Sequence, residues 1–340
     1  KKPGDLIRLG VIGYGWRGAQ DLKAAGFGNP EWAAKAKAAA DRNKLDKRFE
    51  TYLQQDDLNL ALTGVCDVFD TRREQGIASS KATIRPNGVA QQTAPAKGYL
   101  DYQDLLASDD IDAVIITTPD HWHSKIAIDA ERAGKHVYVE KCMTRTMEEA
   151  HAMYAAFDGS KMKLQLGHHS RAVASHEKAK EIIDNDILGP ITLVEVTTNR
   201  NSPGGAWVYP IQWNSIEDVY QKYESKDRYA TPKTLDWARW QGPAPNKVPF
   251  NLERYFRWRC WYDYGTGLSG DLLSHDFDAV NQIMDLGIPK TASSSGGIYR
   301  YTKANFPDMI EHERDVPDNF QTVFEYPDRN LTVMYSATLT

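Results

Sequence analysis

LIRLGVIGYGWRG, residues Leu6–Gly18, joins an apolar run ending at Ile12 directly to Gly13-Tyr14-Gly15-Trp16-Arg17-Gly18. An apolar run that stops at glycine reads as a buried strand turning into a helix. Each glycine of the G-x-G-x-x-G spacing then has a physical task. The first permits the turn, the second lets backbone approach a pyrophosphate, and the third lets the helix pack on the strand. The helix N-terminus supplies free N–H groups for the anion. Ordinary strand–helix corners use similar glycines, so the weight lies in the context, a strand just before and an α/β chain after. Residues Gly13, Tyr14, Gly15, Trp16, Arg17 and Gly18 are therefore the expected pyrophosphate loop.

Working outward, Ala19–Ala25 reads as the covering helix and Gly26–Pro30 as its break. The Ala-, Lys- and Glu-rich run Glu31–Gln55 predicts helices in a solvated surface insertion spanning about residues 27–58. Leu60–Val68 is the second strand, with Asp67 at its end. An acid there accepts hydrogen bonds from the adenosine ribose and repels a 2′-phosphate, which favours NAD, while Arg72 and Arg73 leave NADP open. Asp70-Thr71 reads equally as a cap for the next helix.

Ile111–Thr118 is almost wholly apolar, as strands inside parallel sheets are. It runs into Pro119-Asp120-His121-Trp122-His123, then a helix over Ser124–Ala133, then the strand His136–Val139 and Glu140-Lys141-Cys142. Such repeats imply parallel strands with right-handed crossovers, whose ligands bind beyond the carboxyl ends. The glycine turn, Asp67, Thr118–His123 and Glu140–Cys142 all fall at those ends.

GVIGYGWRG, VCDVFDTR, ITTPDHWH and AGKHVYVEKC, in this order, resemble the Gfo/Idh/MocA family of two-domain NAD(P)-dependent oxidoreductases of sugars and cyclitols. The likeness is close over residues 5–170 and looser beyond. It implies a nucleotide site that includes Thr118, Pro119, His121, His123, Glu140 and Lys141, with Lys141 also catalytic. Cys142 stands where the family's Glu-Lys-Pro signature has proline, and a proline would stiffen the turn.

A helix over Thr144–Phe157 and a strand over Met162–Gly167 complete a first domain of residues 1–169, leaving residues 170–340 for substrate binding and oligomerisation. His168-His169-Ser170-Arg171 follows, then a helix over Ala172–Asp184 and the alternating strand Ile191–Thr198. Residues 199–250 are rich in Pro, Gly and aromatics, among them Trp207, Tyr209, Trp213, Trp237 and Trp240. These aromatics suit pyranose faces and equally a loop-rich core or subunit interface. Asn251–Tyr264 interleaves arginine with aromatics, including Trp258. Asp271 and His275, on a helix over Asp271–Met284, are four apart and share a face. The resemblance makes both catalytic. Within it, His275 is the principal base, Lys141 the electrostatic stabiliser and Asp271 the residue that orients His275. His168, Arg171, Trp207, Trp258 and His275 line the expected substrate pocket. Ile298–Tyr301, Gln321–Tyr326 and Leu331–Ala337 read as antiparallel strands.

The expected architecture is α/β, a doubly wound parallel Rossmann sheet followed by an α+β domain with an open, mostly antiparallel sheet. A net charge of −5 argues against nucleic acid, and no apolar run is long enough to cross a membrane. Three separated cysteines, Cys66, Cys142 and Cys260, make no disulfide framework. His121, His123, His168, His169 and His275 invite a metal, but the resemblance places TPDHWH beside the cofactor, so no metal is expected. The chain opens on Lys1 without Met and closes on strand-like residues 331–340, and so reads as cut inside a sheet. The compartment stays open, cytoplasmic or, after removal of a twin-arginine signal, periplasmic. The resemblance also implies a homo-oligomer, dimer or tetramer, which an apolar open sheet face would favour. It leaves two alternatives to a carbohydrate dehydrogenase: an NAD-dependent glycosidase or lyase using transient oxidation, and a non-enzymatic NAD sensor.

Overall fold

The computed structural model describes residues 4–87, 89, 92, 94–200, 207, 230–302, 304–305 and 314–339. The chain divides into two compact units, Lys1–Leu166 with Lys222–Pro243, and Gly167–Gln221 with Ala244–Thr340. The first boundary lies three residues before the expected one, and residues 230–243 group with the nucleotide unit rather than the second. Tyr209 and Trp213 lie outside the described residues.

The first unit runs β1 (Ile7–Ile12), α1 (Trp16–Ala24), α2 (Pro30–Arg42), α3 (Arg48–Leu53), β2 (Leu60–Cys66) and α4 (Asp70–Ser80). It continues with β3 (Lys97–Tyr99), α5 (Tyr102–Leu106), β4 (Ala113–Ile116), α6 (His123–Arg132), β5 (His136–Val139), α7 (Met147–Phe157) and β6 (Leu164–Leu166). The sheet order is β3-β2-β1-β4-β5-β6, every pair parallel. Alternation explains why the strands are apolar on both faces. Leu9, Val11, Leu62, Val65 and Ile115 pack with Leu22 and Phe27. Ile12, Val114, Ile116, Val137 and Val139 pack with Leu105, Ile126 and Met153 on the other side. Each such side chain, fully buried, contributes about 1.5–3 kcal/mol. The doubly wound sheet expected from Leu6–Gly18 is therefore present. The short β3 and α5 have no counterpart in the sequence reading, because KGY carries no apolar alternation.

The expected surface insertion is more tightly held than its composition suggests. Tyr52, Ala33 and Ala36 are buried. The Tyr52 hydroxyl accepts from Gly28 N–H at 3.1 Å and sits 3.1 Å from the Gly26 carbonyl oxygen. Its ring meets Trp32 edge-on at 5.2 Å. Ala33 and Ala36 form the inner stripe, and the exposed Ala34 and Ala38 join the charged residues on the outer face.

In the second half, α8 (Ala174–Asp184) and β7 (Leu193–Arg200) precede α9 (Trp237–Gln241), which belongs to the first unit, and α10 (Leu252–Phe256). One π-helical turn, Ser269–Leu273, then runs into α11 (Ser274–Met284), followed by β8 (Thr291–Gly297), β9 (Asn319–Tyr326) and β10 (Leu331–Leu339). The sheet order is β7-β10-β9-β8, antiparallel except that β10 runs parallel to β7. Val280 and Phe277 of α11 pack on Phe324, Tyr326, Leu331 and Val333.

One expectation needs correction here. The strand lies at Thr291–Gly297, not Ile298–Tyr301. Residues 299–301 instead curl around Asp318, whose carboxylate accepts their three N–H groups at 2.8–3.1 Å. TASSSGG lacks the apolar signature that marks a strand. On the open sheet face, alternation places Thr332, Met334, Ser336 and Thr338 of β10 beside Leu193, Glu195, Thr197 and Asn199 of β7, so exposed Leu193 and Met334 sit among polar neighbours.

Candidate active site

The glycine turn is wedged between neighbouring strand ends. Gly13 has φ +90°, and a Cβ there would lie 2.9 Å from Thr118 N. Gly13 N–H donates to Cys66 O at 2.8 Å, and Thr117 Oγ1 donates to the Gly13 carbonyl. A side chain on Gly18 would strike that same carbonyl. Gly15 differs, because a Cβ there meets only the mobile end of Arg72, 2.6 Å from Nη1. Helix α1 starts with no side-chain cap and no acid in its first turn. Its N–H groups and positive dipole end therefore fit a pyrophosphate, with the Arg72 guanidinium alongside.

Asp67 is buried, accepting Tyr14 N–H at 2.7 Å on one oxygen and Phe69 N–H at 2.9 Å on the other. Burial pushes its carboxyl up, opposed by the charge of Arg72. Tyr14 is buried with its hydroxyl 2.7 Å from Ser79 Oγ, so it braces the turn, whereas Trp16 is exposed. The rival capping role does not form. Asp70 is the first residue of α4 and pairs with Arg73 at 2.6 Å, and its N-cap, Phe69, makes no side-chain cap. Arg73 also donates to Asp67 O at 2.8 Å, which leaves Arg72 as the cation beside the turn. Each Asp67 oxygen keeps a second lone pair with which to accept a ribose hydroxyl.

Arg17 and Glu140, expected to face the cofactor, are turned toward each other. Arg17 Nη2 lies 2.8 Å from both Asp21 Oδ1 and Glu140 Oε1, and Tyr138 donates to Glu140 at 3.0 Å. Burial, and then the Glu140 charge, push the Asp21 carboxyl up to about 7 against the pull of Arg17. This network anchors the residue just before the half-buried Lys141. The Lys141–Cys142 peptide is cis.

His121 and His123 also depart from the expected lining role. His123 is buried with Nδ1 2.6 Å from Cys142 O and Nε2 2.8 Å from Thr118 O, so its ring clamps the Lys141 loop to the end of β4. His121 is buried with Nε2 2.9 Å from Trp240 O. Both rings brace backbone, which leaves the Thr118–Pro119 main chain as the wall on that side.

The second unit gathers a different set. His169 and His168 meet His275 edge-on, with ring centroids 5.1 and 5.9 Å apart. Asp278, one turn beyond His275, binds Arg171 through Nε and Nη2 at 2.7–2.9 Å and lies 3.7 Å from His168 Nδ1. Gln282 holds the Arg171 carbonyl at 3.0 Å. Asp271 stands in the π turn, where the wider spacing replaces the shared α-helical face, and its carboxylate takes Arg259 Nε at 3.0 Å. Arg259 lies 4.1 Å over the half-buried Trp258. Trp207 is corrected from pocket wall to core, being 2% exposed. Trp237 and Trp240, for which the sequence leaves a sugar face and a loop-rich core equally open, stack at 4.7 Å within the first unit.

Asp21, Asp278 and Arg259 were missed in the sequence. The i, i+4 spacing of Arg17 and Asp21 was a legible signal, whereas the Arg259–Asp271 pair spans twelve residues and had none. Among the described residues, no three His, Cys, Asp or Glu side chains are grouped to hold a metal, and no helix is long and apolar enough to cross a membrane.

This chain belongs to the Gfo/Idh/MocA oxidoreductase family. Residues 7–168 match its NAD-binding Rossmann fold and residues 172–292 its C-terminal alpha/beta domain. Levoglucosan dehydrogenase of Pseudarthrobacter phenanthrenivorans is 36% identical over 237 residues, 66% of this chain and 49% of that protein. A glycosyl hydrolase family 109 protein of Shewanella putrefaciens is 24% identical over 212 residues, 62% of this chain and 42% of that protein. The chain thus spans about half the length of the curated relatives it matches. Among solved structures, levoglucosan dehydrogenase in complex with NADH has a TM-score of 0.61 at 17% identity, covering 98% of this chain and 67% of that one. The WlbA dehydrogenase of Chromobacterium violaceum, with NADH and UDP-GlcNAcA, has 0.60 at 18% identity, covering 99% and 68%. At these identities the likeness is one of fold.

Proposed function

We propose that this chain is the core of an NAD-dependent oxidoreductase acting on a ring hydroxyl of a sugar, glycoside or cyclitol. The observation that carries the reading is the uncapped start of α1 against a glycine turn that only glycine can make, with Asp67 tied to the same turn. Bound nicotinamide supplies the hydride acceptor or donor. The chain's own residues must then bind the alcohol, take its proton and stabilise charge on the developing carbonyl oxygen. His275 takes the hydroxyl proton, and Lys141 donates a hydrogen bond to the oxygen. Asp271, held by Arg259, accepts from a neighbouring hydroxyl. Arg171 positions His168 through Asp278 and leaves direct substrate contact to the histidines. A carbohydrate substrate is supported by the names of levoglucosan dehydrogenase and the UDP-GlcNAcA complex among the relatives.

A second reading, a glycosidase using transient oxidation, is favoured by the family 109 relatives. One experiment separates the two. The purified protein, loaded with NAD, is incubated with pyranosides, aldonolactones and cyclitols, then denatured, and the nucleotide and its redox state are identified. Net reduction with one sugar class supports the dehydrogenase, whereas glycoside cleavage with the nucleotide unchanged supports the glycosidase. Failure to bind either NAD or NADP removes both.

A further inference from the structure

Residues 230–243 pack on the first unit as a short arm crossing the carboxyl ends of three strands. Leu235 bridges Phe69 in antiparallel fashion, Asp70 N–H donates to Thr234 O at 2.9 Å, and Asp236 N–H donates to Val68 O at 2.9 Å. The arm thereby joins the turn just after Asp67 through a single β-bridge and two flanking backbone hydrogen bonds. Helix α9, capped by Asp236 on Arg239 N–H at 3.0 Å, carries the chain onward. Arg239 reaches Asp101, beyond β3, at 3.4 Å. At the β4 end, Trp240 O accepts from Trp122 Nε1 at 2.9 Å and lies 2.9 Å from His121 Nε2. Gly242 closes the arm at φ +38°, where any side chain would run into the Trp122 ring.

In the order β3-β2-β1-β4 the glycine turn of β1 lies between the arm's β2 and β4 anchors. A dinucleotide in a doubly wound sheet lies across these strand ends, its adenosine half on the β2 side. The Phe69–Asp70 turn and the Pro119–Trp122 turn flank that half, and the arm pins them to each other. We propose that residues 230–243 are a strap that sets the walls of the adenosine half of the nucleotide site, with Trp240 and Gly242 as positioning residues. This rests on the nicotinamide dinucleotide reading of the glycine turn. Its anchors at Phe69–Asp70 and at His121–Trp122 border the adenosine half, so its loss is read first in adenosine affinity.

The test titrates the full chain with NAD, ADP-ribose and nicotinamide mononucleotide, comparing the unaltered protein with Gly242→Ala. Amide exchange at Asp70 and Asp236 reports whether the strap has been displaced. Gly242→Ala is expected to weaken NAD and ADP-ribose together, by about tenfold, a range set by the loss of one good contact. Affinity for the mononucleotide stays unchanged. Leu235→Ala, which loosens the β2 anchor alone, gives the same pattern and stands in should Gly242→Ala not fold. Unchanged ADP-ribose affinity in a variant whose amides have lost protection overturns the strap. So does an equal loss for the mononucleotide, which marks a merely structural role. If the unaltered chain binds no dinucleotide at all, the nucleotide reading itself falls, and the strap with it.

Discussion

In the first unit the candidate residues at the strand ends meet largely through backbone, and in the second they meet through side chains. Gly13 and Gly18 let main chain touch main chain, Asp67 holds two N–H groups, and His123 spans two carbonyls. The second unit offers instead three imidazoles, with Asp278 on Arg171 and Asp271 on Arg259. The difference teaches where rigidity comes from. A backbone cradle is stiff because its groups cannot rotate away, whereas a side-chain cluster keeps its geometry only while its ion pairs hold.

That contrast breaks first at the chemistry. Lys141→Ala and His275→Ala should each lower turnover on a true substrate by roughly 100- to 10,000-fold, the usual worth of a positioned proton-handling group. NAD affinity should change little in His275→Ala and more in Lys141→Ala, which steady-state kinetics beside a binding titration would check. Near-full turnover in both variants would remove the assignment.

Next comes the cradle. Gly18→Val places a side chain against the Gly13 carbonyl and should cost on the order of 3 kcal/mol of stability, as overpacking against backbone does. Gly15→Ala meets only the end of Arg72 and should cost under about 1 kcal/mol. Urea unfolding of the pair would blunt the comparison if the two costs came out equal.

Asp21 sharpens it through pH. Its folded carboxyl titrates near 7 against an ordinary 3.8, so the native state holds a proton the unfolded chain releases. That contribution is complete below about pH 4 and is lost as pH rises to about 7. Stability should therefore fall across this window by on the order of 4 kcal/mol. Asp21→Asn should flatten this part of the curve in melts taken from pH 4 to 8.

The smallest effect belongs to Asp278→Asn. Arg171 is half exposed, so losing its pair should cost under about 1 kcal/mol. A shift in the pH profile of turnover, through His168 and His275, would reveal more than a structural role.

The same contrast explains what was legible. The strand–turn–helix at Gly13–Gly18 and the strand ends at Asp67 and Thr118 could be read because the constraints that set them are local. Arg17 and Glu140 were rightly placed at that end yet assigned outward, since sequence does not say which way a side chain turns. Trp207, Trp237 and Trp240 were noticed, but a wall and a core look identical in composition. The strand TASSSGG was invisible because its partners, rather than its own residues, make it a strand.

By itself the sequence determined the doubly wound sheet, the nucleotide turn and the family, because apolar periodicity and glycine spacing are short-range constraints on backbone. Only the tertiary structure decided that Arg17 binds Asp21 and Glu140, that Asp271 answers Arg259, and that residues 230–243 return to the first unit. Those choices depend on which charges burial brings together over long chain separations, and a buried charge takes whatever partner the packing leaves beside it.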